Sequence, residues 1–262
     1  MTYPVFLGAI VLTSSNNRLR FREGAGAVTN VDLTPGTYYL RETSIGVELE
    51  NAIFAALGAN TYAVGITYDI DPANAGVTLS INRLTGASTF QLVVDGSETF
   101  DYSLIGFSAS TANDATAKTS TASCAGAWVG NDIFREREPF GTRTVSVPRK
   151  ANGGVVGVSR TAHMTSWALG LAFIHEDRML LKVNTSDPNA TLEAFIKRFG
   201  AGAAFETYEV AISSGTVLAA PSGAFAILHW SEESLGSFRP RRIGPGVPLY
   251  DLDMVAHEQV TS

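Results

Sequence analysis

The chain has 262 residues, enough for one large domain or two ordinary ones with real cores. Hydrophobic residues make up 45% and charged residues 17%, against roughly 25% charged in a typical soluble domain, so disorder is excluded and Ser, Thr, Gly and Asn must cover much of the surface. The net charge of −6, with no lysine-rich tract, gives no counterion-release force and argues against DNA or RNA binding.

In chain order, residues 5–12 are apolar without a positive segment before them or a cleavage signal after them, and are too short to span a bilayer. They read as a buried first strand, with neither membrane insertion nor secretion expected. Thr34-Pro35-Gly36 marks a turn before a short strand at 37–40. Ser44 is placed to cap a helix in which Ile45, Leu49, Ile53, Ala56 and Leu57 recur at helical spacing, and Gly58 closes it. Strands follow at 62–68, 77–81 and 89–94, and the run ends at Leu104-Ile105-Gly106-Phe107.

Residues 108–127 are Ser, Thr and Ala with almost no large apolar side chain, which predicts a linker, or an extended arm lying on a neighbouring subunit. The second half resumes with strands at 142–147 and 155–158, then at 165–174, where Trp167, Leu169, Leu171 and Phe173 alternate as in a strand with one buried face. Residues 179–183 extend the sheet or cross to another. Asp187 as N-cap and Pro188 at the first helical position open a second helix carrying Leu192, Phe195, Ile196 and Phe199, stopped by Gly200. Strands at 204–210, 224–230 and 247–255 complete the reading. The fold class is mainly β (α+β): two antiparallel β-sandwich or barrel-like domains, each with one amphipathic helix, at 1–107 and 128–262, with 108–127 between them.

The search for chemistry yields little. The single cysteine, Cys124, excludes an intrachain disulfide and a cysteine-based zinc site, and it has no neighbouring base. His163, His175, His229 and His257 show no paired ligand spacing, so no metal is expected. Asp69-Ile70-Asp71 starts like a calcium loop, but Asn74 and Ser80 stand where the loop needs Gly and Glu. Gly24-Ala25-Gly26 and Gly200-Ala201-Gly202 lack the third glycine of a dinucleotide fingerprint, so no cofactor is expected. His175-Glu176-Asp177-Arg178 is the densest titratable patch, readable as an acid and base pair or, more simply, as a charged turn. Arg135-Glu136-Arg137-Glu138 reads as a solvated loop or an ionic subunit contact. Arg239, Arg241 and Arg242 around Pro240 form an extended cationic segment, either a docking loop or an ordinary one.

The cadence of Thr34-Pro35-Gly36-Thr37-Tyr38, the 45–57 helix, the 62–81 hairpin and Leu104-Ile105-Gly106-Phe107 resembles a module of tailed-bacteriophage virion proteins. The run from Phe238 through Arg242 and Val247-Pro248-Leu249-Tyr250 to Leu252 is similar to the closing strands of phage minor tail and distal-tail (baseplate) proteins. The resemblance implies a homo-oligomeric ring subunit of the virion tail, assembled in the bacterial host cytoplasm, contacting tail-tube, hub or fibre proteins and performing no catalysis. A neck ring or head decoration is the alternative position. A carbohydrate- or receptor-binding domain displaying Trp128 or Trp230 is the alternative function.

Overall fold

The computed structural model describes residues 2–58, 61–71, 76–86, 88–130, 134–147, 160–179, 184, 186–199, 203–224, 226–230, 238–241 and 249–258. The chain opens with β1 (Thr2–Gly8), breaks at Ala9, whose N–H donates to the Ala204 carbonyl (2.9 Å), and resumes as β2 (Ile10–Leu12). The expected single strand is therefore two. A hairpin follows, β3 (Arg18–Glu23) with β4 (Thr29–Asp32), and β5 (Gly36–Tyr38) returns to pair with β2. A π-helical turn (Glu42–Gly46) runs directly into α1 (Val47–Leu57). Ser44 lies inside that turn and is not its cap; its hydroxyl accepts the Tyr39 N–H (3.0 Å). Gly58 ends α1 as expected, at φ 74°, a left-handed conformation that costs glycine nothing.

Next come β6 (Tyr62–Asp69), β7 (Gly76–Arg83), β8 (Phe90–Leu92), a 3-10 turn (Tyr102–Ile105), β9 (Ala117–Thr119) and β10 (Ala127–Val129). The second half contributes two long strands, β11 (Phe134–Val147) and β12 (Arg160–His175), then α2 (Glu176–Met179). A 3-10 turn (Pro188–Ala190) leads into α3 (Leu192–Phe199). β13 (Ala204–Ser214), β14 (Val217–Leu218), β15 (Ala226–Trp230), β16 (Phe238–Arg241) and β17 (Leu249–Glu258) complete the chain. The fold is mainly β, with antiparallel sheets and few helices. The expected strand at 155–158, residues 180–183, Gly200 and Arg242 lie outside the described residues.

The second helix starts later than the sequence suggests. Asp187 makes no capping bond; its carboxylate accepts the Ser123 N–H (2.9 Å), and Thr191 caps α3 by accepting the Ala194 N–H (3.2 Å). In β12 the alternation of Leu169 and Leu171 holds, but a bulge shifts the register after Leu171 and brings Ile174 into the core.

The main sheet runs β11-β12-β17-β15-β13-β14-β6-β7-β9, with β1 joined to β13 and β10 to β1. Two hydrophobic cores lie against it. Side chains alternate across a strand, and β1 uses both faces: Tyr3, Val5 and Leu7 enter the first core, whereas Phe6 enters the second. β10 does the same, with Ala127 and Val129 on one side and Trp128 on the other. β13 gives Phe205 to the second core and Tyr208 and Val210 to the first. The register aligns these sides, Val5 opposite Val129 and Tyr208, and Phe6 opposite Trp128 and Thr207. β1, β10 and β13 thus form one wall shared by two cores. The first core is built mainly from the N-terminal half, and the second from α3, β12 and β17 with Phe6 and Trp128.

Residues 108–127, expected as a linker or arm, are tied to the N-terminal half: 108–117 run over its surface, and Lys118, Ser120 and 123–127 are buried against it. β9 pairs with β7, Ala115 bridges Phe90, the Cys124 N–H donates to the Val77 carbonyl (2.7 Å), and Cys124 and Ala127 are buried. Small side chains let this backbone approach β7 closely, so the segment contributes ladder hydrogen bonds in place of apolar bulk. Gly76 shows how tight the fit is: a Cβ there would lie 1.9 Å from the Ser123 hydroxyl oxygen.

Candidate protein interface

The most informative place is the end of the sheet formed by β11 and β12. These strands pair continuously from Phe134 opposite Leu171 to Val147 opposite Arg160, interrupted by two register shifts. Among the described residues β17, the third strand, pairs along β12 only as far as Ser166. Beyond it, the described pairing of Thr142 to Val147 with Thr165 to Arg160 is a two-stranded ribbon of about 20 Å at roughly 3.3 Å per residue. Among the described residues no strand pairs with the outer edge of β11.

Arg135, Glu136, Arg137 and Glu138 fall on this edge strand, not on a loop. The residues opposite Glu136, Arg137 and Glu138 in β12 are Gly170, Leu169 and Ala168, none of them charged, and Arg135 sits at a register shift. A row of alternating charges on an edge strand limits indiscriminate strand pairing. Arg239 and Arg241 lie in β16, which covers the part of β17 that β15 leaves open, with Arg239 opposite Asp251. Two candidate runs that are distant in sequence are therefore carried by strands of the same part of the sheet, β11 two places from β17 and β16 beside it.

The other long edge is closed differently. In β6 the N–H groups of Val64 and Ile66 both find side-chain acceptors on the helical segment beside them. Glu50 accepts the Val64 N–H (2.7 Å) and Glu42 accepts the Ile66 N–H (3.1 Å). Carboxylates thus stand in for a neighbouring strand. Where Glu206 of β13 is buried, it is matched by Arg41 (3.1 Å) and by the Tyr208 hydroxyl, which donates to it. Burial and that carboxylate together push the Tyr208 hydroxyl well above its ordinary value.

The patch at His175-Glu176-Asp177-Arg178 is the junction of β12 and α2. Arg178 is only 3% exposed and Met179 is fully buried, so this turn is packed inward. Trp128, one of the two candidate glycan platforms, is 1% exposed and packs against the Phe6 ring at 5.3 Å. It is a core residue. Trp230 pairs with Ala256 in the sheet. The register also sets His229 directly opposite His257, an adjacency that no spacing in the sequence reveals. Among the described residues no group of three or more His, Cys, Asp or Glu could hold a metal ion.

One open depression of about 360 Å³ is lined by Ala125, Asn189, Ala194, Phe195, Lys197 and Arg198. Its cations are already matched: Lys197 by Glu193 (2.7 Å) and Arg198 by Asp101 (2.6 Å). Burial raises the Asp101 carboxyl, but hydrogen bonds from Ser103 and Arg198 outweigh it and leave the group below its usual range. No protein-family model matches the chain, and no curated protein is similar to it.

Proposed function

We propose that the protein is a non-enzymatic structural subunit of a tailed-bacteriophage tail, of the ring-forming distal-tail or baseplate kind, acting through protein–protein interfaces. The observation that carries the reading is the β11–β12 ribbon. Among the described residues this ribbon has no third strand, and two strands alone are marginal in water; an edge strand of 14 residues presents a row of backbone donors and acceptors to any strand that can meet it. A second subunit supplies that strand by adding to the sheet. The low charge, 17%, fits a surface that meets other subunits more than water. Arg135, Arg137, Glu136 and Glu138 then act as ionic contacts that select the partner and its register. The resemblance of 34–107 and 238–252 to tail proteins supplies the particle.

Light scattering after size-exclusion chromatography, followed by electron microscopy, tests the reading. The expected species is a closed ring or short tube, formed alone or on adding tail-tube or hub proteins. An Arg135→Glu/Arg137→Glu variant is expected to shift the protein toward monomer while keeping its melting temperature. A protein that stays monomeric with every tail component, and retains a glycan with micromolar affinity on an array, refutes the proposal in favour of receptor binding. Labelling in the assembled particle separates the tail tip from a neck or head position.

A further inference from the structure

Arg178 is a cation that cannot shed its proton at any ordinary pH, yet it is 3% exposed. Its hydrogen bond, from Nη2 to the Asp71 carbonyl, is long at 3.5 Å, and Nη1 has no partner among the described residues. Carboxylates surround it electrostatically: Asp177 on its own helix, Asp187 ahead of α3, and Asp69 and Asp71 at the C-terminal end of β6. Burial pushes the guanidinium below its ordinary value, while those four carboxylates act in the opposite direction. Asp177 and Asp187 each keep one buried oxygen without a hydrogen bond. Asp187 uses its other oxygen on the Ser123 N–H (2.9 Å), in the segment built into the first core. Charges from both halves of the chain therefore meet at one side chain, which sits three residues after the end of β12.

We propose that Arg178 is a latch fastening the C-terminal end of β12 to the first core, so that displacement of β12 and loosening of the β6 end are coupled. A buried cation held mainly by charge, with few directional hydrogen bonds, tolerates small shifts but not withdrawal from its carboxylates. α2 follows β12 without an intervening residue, so a rotation of β12 at its base moves Arg178 relative to Asp69 and Asp71. The device connects the C-terminal end of β12, in the second core, to the end of β6, in the first. It does not depend on the β11–β12 ribbon being an interface.

Hydrogen–deuterium exchange on the full-length unassembled protein tests it, so failure of the latch and failure of ring assembly are read separately. In Arg178→Met the amides of Ile70, Ser123 and Cys124 on one side, and of the β12–β17 ladder near Leu171 on the other, are expected to exchange roughly tenfold faster, while those of α1 stay at wild-type rates. Arg178→Lys, which keeps the charge, is expected to stay within about threefold. If Arg178→Met accelerates one side only, or neither, the latch is refuted. If it accelerates every amide equally, Asp177→Asn/Asp187→Asn decides: local acceleration on both sides sustains the proposal, and uniform or absent acceleration overturns it.

Discussion

Replacing Phe6 by alanine tests the shared wall directly. Phe6 is fully buried and lies within ring-contact range of Trp128 (5.3 Å), Phe205 (5.6 Å) and Phe195 (6.2 Å), so its removal leaves an aromatic-sized void in the second core. Losing a buried phenylalanine destabilises by about 3–5 kcal/mol. Against a typical total of about 5–15 kcal/mol this is a large fraction. For a domain of this size it lowers Tm by roughly 6–20 °C, at about 2–4 °C per kcal/mol. The companion variant Leu7→Ala removes the adjacent residue, also fully buried, from the first core. Because both side chains belong to one strand of the wall, each variant should shift a single cooperative transition in calorimetry and in urea melts followed by circular dichroism. Two resolved transitions, with Phe6→Ala moving one and Leu7→Ala only the other, would refute a shared wall and restore two independent domains.

Glu50→Ala, which strips the Val64 N–H of its acceptor, should cost about 1–3 kcal/mol and speed exchange of the Val64 amide, whereas Glu50→Gln keeps an oxygen there and should cost less than half as much; equal losses would contradict the edge-closing role. In alkali, burial holds the Tyr102 hydroxyl up at about 12 and raises Tyr62 and Tyr68 further, while the unfolded phenols titrate near about 10. Folded values above unfolded ones mean that this stability is complete below about pH 10 and is lost as the pH climbs through about 12. Tyrosinate absorbance near 295 nm should therefore rise together with loss of the circular dichroism signal; with eight tyrosines in the chain, six or more titrating near pH 10 in folded protein would contradict the burial of these three. The Cys124 thiol is fully buried and its ionisation is pushed well up by desolvation, so a thiol reagent at pH 8 should label it only in denaturant. Rapid labelling of the native protein would place Cys124 and the residues beside it outside the core.

The sequence made the β-rich class and α1 legible because alternating apolar residues and a terminal glycine act locally. It hid β3 and β4, since the Arg18, Arg20 and Arg22 alternation reads as charge until Leu19 and Phe21 are found buried beneath it. Residues 108–127 misled for a related reason. Lack of apolar bulk marks a linker in sequence, but small residues equally suit backbone that must lie close to β7 and β8, and only the pairing distinguishes the two. The eight apolar residues 5–12 signalled burial but not that alternate side chains serve different cores, which depends on partners in β10 and β13. At the candidate interface the charged run Arg135 to Glu138 was visible; its place on an edge strand was not, because the pairing partners are thirty or more residues away. Arg178 was visible as one member of a charged turn, and its burial follows from the fold alone.

The shared wall also fixes when the protein can fold during synthesis. Thr2 lies opposite Ala211, so β1 has no β13 neighbour until almost all of that intervening chain has been made. At about 5–20 residues per second this wait is roughly ten to forty seconds. Until β10 is made, Val5, Phe6 and Leu7 present apolar side chains on both faces of an unpaired strand, and after that the edge that meets β13 stays open. The nascent chain is therefore most vulnerable at its first strand, and a chaperone that covers that strand early should raise the folded yield more than one that acts after release.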